Sequence, residues 1–266
     1  MEDRWSLPDL EGAVQWCRKR NGQDIRTILA VMAEYSQTHE ESEQAVGRQL
    51  AVIRAIGTSS CGAAFAVKPS SIGALFDYSE YTRNLALIAR EAVAWRVPLE
   101  IDMEGQPYVE DTLRSALSLA AGGTIVTLAL QVYLDRTPRD LDACRHSGIT
   151  VRLVKGAYSG DTDDFVTIQE KFRNQAESLI FAGIPFSAAT HDPELIAWLK
   201  EKISDHKELI EFAFLKGLAD RTKSEMAADG WKVAEYVPFG PGGQGYLFRR
   251  ERYIKNLERL GRSPVP

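Results

Sequence analysis

The chain has 266 residues, 44% of them hydrophobic and 26% charged, a composition that excludes disordered and collagen-like classes. No apolar run approaches the roughly 18 residues of a membrane span. Thirty-two Lys and Arg against 37 Asp and Glu leave a net charge of −5 and no basic tail, which disfavours broad nucleic-acid binding but leaves room for a local anion pocket.

The opening residues, Met1-Glu-Asp-Arg-Trp5, lack the basic-then-apolar pattern of a secretory signal. Residues 9–56 read as helices interrupted near Asn21-Gly22, with Leu29, Met32 and Ala33 spaced to share a helix face and Gln44–Ile56 forming a further amphipathic stretch. The character changes from Ser59. Apolar runs at Ala63–Lys68, Leu99–Met103, Thr124–Val132, Thr150–Lys155, Phe186–Thr190, Leu209–Phe214 and Val233–Phe239 read as strands. Helical patterns at Tyr78–Trp95, Glu110–Leu119, Lys171–Phe181 and Pro193–Ile203 separate them, and a weak strand signal at Phe165–Ile168 completes a set of eight. Strand–helix alternation implies a parallel sheet, and eight units without a linker predict a closed α/β barrel. The expected organisation is a helical segment over residues 1–58 packed on a (βα)8 barrel over 59–266.

Cys17, Cys61 and Cys144 are odd in number and widely spaced, which fits a reducing cytoplasm better than a disulfide framework or zinc knuckle. His39, His146, His191 and His206 lack ligand spacing, so no metal is expected. No G-x-S-x-G nucleophile elbow occurs.

Polar residues cluster where strands end: Lys68, Asp102, Glu104, Gln131, Lys155, Thr190, His191 and Tyr236. Barrel active sites are built at the C-terminal ends of strands, so these side chains are candidates for one pocket. Each alone is equally a strand turning polar as it reaches water. Arg152 lies inside an apolar run and requires an anion, a carboxylate or a polar cofactor; a salt bridge to Asp102 or Glu211 is the structural alternative. Gly240, Gly242 and Gly245 satisfy G-x-G-x-x-G, but no second strand with an acidic residue follows, so a tight loop is expected rather than a dinucleotide site. Tyr246, Arg249 and Arg250 share one helix face, either as forked donors for a carboxylate or phosphate or as part of a solvated basic face with Arg252 and Lys255. Lys68 and Lys155 leave open a Schiff-base lyase.

In order along the chain, Val67-Lys-Pro-Ser-Ser-Ile-Gly73, Ile101-Asp-Met-Glu104, Gln131-Val-Tyr-Leu-Asp-Arg-Thr137, Arg152-Leu-Val-Lys-Gly-Ala-Tyr158, Ala189-Thr-His-Asp192, Glu211-Phe212 with Leu215, and Tyr236-Val-Pro-Phe-Gly240 through Tyr246-x-x-Arg-Arg250 resemble the proline dehydrogenase family, particularly its short monofunctional members. The resemblance implies a distorted (βα)8 barrel with FAD at its C-terminal mouth. It implies oxidation of L-proline to Δ1-pyrroline-5-carboxylate by hydride transfer to flavin N5, with Arg152, Lys68 and Tyr236 as catalytic side chains. Lys68, Asp102, Leu215, Tyr236, Tyr246, Arg249 and Arg250 would bind substrate. Gln131, Arg152, Val154, Lys155, Gly156, Thr190, His191 and Arg250 would hold FAD. A quinone acceptor, and with it transient contact with a membrane surface, follows from the same resemblance, in a protein whose cysteines already point to the cytoplasm. Oxidation of another cyclic or secondary amino acid is the nearest alternative, and a binding protein without turnover a further one. The chain departs from the family in the loop Pro241-Gly-Gly-Gln-Gly245, at Ala213, and at Tyr253, where an acidic residue is expected.

Overall fold

The computed structural model describes residues 4–59, 61–259 and 263. Helix α1 (Leu10–Asn21) precedes β1 (Ile25–Val31). Seven further strands alternate with helices: α2 (His39–Ser59), β2 (Ala63–Val67), α3 (Tyr78–Trp95), β3 (Leu99–Ile101), α4 (Gln106–Ala121), β4 (Val126–Gln131), α5 (Thr137–His146) and β5 (Thr150–Val154). They continue with α6 (Phe165–Phe181), β6 (Phe186–Ala189), α7 (Pro193–Lys202), β7 (Ile210–Leu215), α8 (Asp220–Ala228), β8 (Lys232–Phe239) and α9 (Gln244–Arg259). The strands close in sequence order, and β1 pairs in parallel with both β2 and β8.

The boundary expected at residue 58 is therefore wrong, because β1 and α2 form the first unit of the barrel. Ile25-Arg-Thr-Ile-Leu-Ala-Val31 is buried on nearly every residue, and such a short apolar run has no periodicity to separate strand from helix. The spacing of Leu29, Met32 and Ala33 was not a helix face. Phe165–Ile168, expected as a strand, is the first turn of α6. The Asp164 side chain accepts from the Thr167 amide at 2.8 Å and starts that helix. The other seven strands fall on their expected runs.

The outer faces of the strands pack with the helices into one continuous apolar core. Inside, Ala30, Ala64, Ala66, Ala213 and Ala234 leave room beneath the mouth. Below them, the odd-numbered strands contribute a layer of four charged side chains. Arg26 meets Glu211 at 2.7 Å and Glu100 at 3.0 Å, and Glu100 meets Arg152 at 2.6 Å. Alternate strands supplying one layer is ordinary barrel geometry. The signs alternate, so the layer is neutral.

Candidate active site

A cavity of about 620 Å³ opens at the C-terminal ends of the strands. It is lined by Lys68 after β2, Asp102 after β3, Gln131 of β4, Arg152 and Val154 of β5, and Lys155 and Gly156 beyond it. Thr190 and His191 after β6, Leu215 of β7, Tyr236 of β8, and Tyr246, Arg249 and Arg250 of α9 complete the wall. Of the strand-end and helix residues expected from sequence, all but Glu104 border one space; the buried Glu104 carboxylate instead accepts from the Ser70 amide at 2.7 Å and hydroxyl at 2.8 Å. Helix α9 thus places its Tyr246–Arg250 face against the mouth.

Arg152 is 4% exposed and needs no cofactor to balance its charge. Its guanidinium donates to Glu100 and to Asp102. Asp102 is one of the two carboxylates that the sequence offers it. The other, Glu211, serves Arg26. Glu100 was missed because an acidic residue inside a strand signals an ion pair but not which one.

Asp102 also accepts from Lys68 Nζ at 2.7 Å and from the Tyr236 hydroxyl at 2.5 Å. Burial opposes its ionisation, but the charges of Lys68 and Arg152 and these hydrogen bonds outweigh that, holding its carboxyl well below the usual range. Burial likewise disfavours the Lys68 cation, and Asp102 overrides it, so the amine stays protonated far above neutral pH. A protonated amine has no lone pair to form a Schiff base, which argues against Lys68 as the lysine of the lyase alternative.

Lys155 pairs with Asp192 at 2.7 Å, and its ammonium lies 3.9 Å from the centre of the Phe165 ring. Asp192 caps α7 by accepting from the Glu194 amide at 3.0 Å. His191 Nε2 accepts from the Leu215 amide at 2.9 Å, which leaves Nδ1 to carry the proton. Burial, with Arg250, Lys223 and Lys155 nearby, pushes the His191 pKa down to about 3, so the ring is neutral. Gly156 has φ of +119°, and a Cβ there would lie 1.7 Å from the Tyr133 ring. The Tyr133 hydroxyl donates to Gln131 Oε1 at 2.7 Å, while Gln131 Nε2 donates to the Glu104 carbonyl at 2.9 Å. Gln131 is thereby fixed in one orientation.

On α9 the two arginines differ. Arg249 pairs with Glu34, a loop residue that no sequence signal marked, and lies 4.7 Å from the Tyr158 ring. Arg250 is 3% exposed and donates only to neutral oxygens, the Tyr246 hydroxyl and the Lys216 carbonyl. Of the cavity's Lys68, Arg152, Lys155, Arg249 and Arg250, it alone makes no ion pair among the described residues. Its Nε is buried without a hydrogen-bond partner among the described residues. The expected basic face thus divides: Arg249 and Arg250 border the cavity and are largely buried, whereas Arg252, which also borders it, and Lys255 are exposed. The preceding glycines form the expected tight loop, with Gly240 and Gly242 at φ of +96° and +97°.

The model of the family described as "Proline dehydrogenase" matches residues 13–252. Proline dehydrogenase 1 of Bacillus subtilis is 26% identical over 250 residues, covering 91% of this chain and 82% of the relative. Proline dehydrogenase of Deinococcus radiodurans is 26% identical over 255 residues, with coverages of 91% and 82%. The crystal structure of proline utilization A (PutA) from Bdellovibrio bacteriovorus inactivated by N-propargylglycine superposes with a TM-score of 0.84 at 16% identity, over 96% of this chain. The present chain spans 32% of that longer protein, and the likeness shows the fold alone.

Proposed function

The chain belongs to the proline dehydrogenase family, and from that premise we propose that it oxidises L-proline to Δ1-pyrroline-5-carboxylate with FAD held in the barrel mouth. The carrying observation is Arg250, a buried guanidinium without a carboxylate partner among the described residues, inside the cavity. An uncompensated buried charge is costly, and a substrate carboxylate would relieve that cost. Arg249 would supply the second fork of the clamp once its share of Glu34 is met by substrate. Tyr236, Tyr246 and Leu215 would enclose the apolar ring. Asp102 is too weakly basic to take the substrate proton, so the amine would lose it to water on binding. Lys68, Tyr236 and Arg152 would act by position and field, fixed through their shared partner Asp102.

The lining fits a flavin. Arg250 Nε offers a buried donor without a partner among the described residues, and neutral His191 offers Nδ1–H. When bound, FAD would accept the hydride at N5 that leaves the ring carbon next to nitrogen. Gln131, Arg152, the backbone of Val154 and Gly156, Lys155, Thr190, His191 and Arg250 would hold it. Arg152 would stabilise negative charge on the ring system. A quinone would take the electrons onward at a membrane surface from the cytoplasmic side. No described helix is long and apolar enough to cross a membrane.

An anaerobic screen tests the proposal. Purified protein is expected to carry visible flavin absorption that L-proline bleaches faster than hydroxyproline, pipecolate or N-methyl amino acids do. Flavin reduced faster by another of these amines would move the activity to that substrate, and flavin reduced by none would leave a binding protein.

A further inference from the structure

The segment before α1 is stitched to the loop after β7 and to the end of β8, which leads into the helix that carries the substrate clamp. Leu7 pairs in parallel with Phe239 at the end of β8: its amide donates to the Pro238 carbonyl at 3.0 Å, and its carbonyl accepts from the Gly240 amide at 3.0 Å. Arg4 Nε donates to the Gly217 carbonyl at 2.8 Å, and the Arg4 carbonyl accepts from Lys216 Nζ at 2.8 Å. Gly217 has φ of +74°, and a Cβ on it would lie 2.3 Å from the Arg4 carbonyl oxygen, so the approach is close enough to demand glycine. Between these anchors stands Trp5, its ring centre 5.0 Å from the Arg250 guanidinium. Lys216, held by Arg4, offers its own carbonyl to Arg250 Nη2.

We propose that Trp5 is a positioning residue for the substrate carboxylate site: its indole face compensates the buried charge of Arg250 and sets the plane of that guanidinium. The proposal rests on the reading that Arg250 binds the carboxylate. Trp5 does not line the cavity, so it acts through Arg250. A ring face attracts a cation most strongly where water is excluded, and among the described residues Arg250 has no carboxylate partner to take over that task. Without the ring, the guanidinium keeps its two neutral acceptors and the Tyr246 ring, whose centre lies 5.5 Å away, and loses the closer of its two aromatic surfaces.

The test uses flavin-loaded enzyme and four proteins: wild type, Trp5→Leu, Trp5→Phe and Arg250→Met. One readout is calorimetric binding of cyclopentanecarboxylate, a ring carboxylate that cannot be oxidised. The other compares flavin reduction by proline and by pyrrolidine, which lacks the carboxylate. Trp5→Leu keeps apolar bulk and is expected to weaken carboxylate binding about tenfold, raising KM for proline while reduction by pyrrolidine stays at the wild-type level. Trp5→Phe, which keeps a ring face, is expected to recover most of the loss. Wild-type binding in Trp5→Leu, or equal losses for proline and pyrrolidine, would overturn the proposal. Arg250→Met separates it from its premise: if that variant binds the carboxylate normally, the clamp reading itself fails.

Discussion

Arg152 Nη1 and Glu100 Oε2 lie 2.6 Å apart inside the barrel, where both side chains are almost fully buried. Glu100 also takes Arg26, and Arg152 also takes Asp102, so one contact links a structural layer to the active site. Removing one member of a buried pair strands its partner. Glu100→Gln is expected to lower unfolding stability in urea by about 3–5 kcal/mol. The double variant Glu100→Gln/Arg152→Met is expected to be more stable than the single one, since Arg26 retains Glu211 and Asp102 retains Lys68. A single variant within about 1 kcal/mol of wild type would remove the layer from the account of stability.

Arg249 and Glu34 pair at the entrance with little exposure on either side chain. Arg249→Met is expected to raise KM for proline by roughly 10- to 100-fold with flavin content unchanged, the scale of a charge-assisted hydrogen bond. Glu34→Gln frees Arg249 from its competitor but also loosens its position. Its KM is expected to change far less than that of Arg249→Met, and its salt dependence to rise. Steady-state kinetics at two ionic strengths measure both, and unchanged kinetics in Arg249→Met would remove it from the clamp.

The strand ends were legible because a strand that turns polar at its C-terminal end carries the signature of a barrel mouth, and six strands repeat the signal. Other features were silent for physical reasons. Ile25–Val31 is apolar without alternation because both faces are covered, so it looked helical beside α1. Glu34 sits in an irregular loop, where its pairing depends wholly on the path of α9. The need of Arg152 for an anion was readable, but not that Glu100, two residues before Asp102 on the same strand face, would meet it. Arg250, which reads as the twin of Arg249, is distinguished only by what surrounds it.

Gly156 tolerates no side chain. Its φ of +119° is unfavourable for any other residue, and the added Cβ would strike Tyr133 at 1.7 Å. Gly156→Ala is expected to cost about 2 kcal/mol or more and to release flavin during gel filtration. Adding Tyr133→Ala relieves the collision but not the backbone strain, so recovery of stability should be partial. Full recovery would show that the collision alone matters.

His191 makes a pH prediction with a definite sign. Its pKa is pushed from 6.5 to about 3 in the folded protein, chiefly by burial. Between those values the unfolded chain binds the proton and the folded chain does not. Stability therefore rises with pH across that window and is fully present above it. Asp102 adds the same sign at lower pH, because its depressed carboxyl must be protonated before its ion pairs are lost. His191→Gln keeps an acceptor for the Leu215 amide while removing the titration. Its stability, measured by urea unfolding at a series of pH values, is expected to fall less steeply than wild type between about pH 6.5 and pH 3. Parallel curves for the two proteins would mean that the ring is protonated in the folded state, and that its Nε2 does not accept from Leu215.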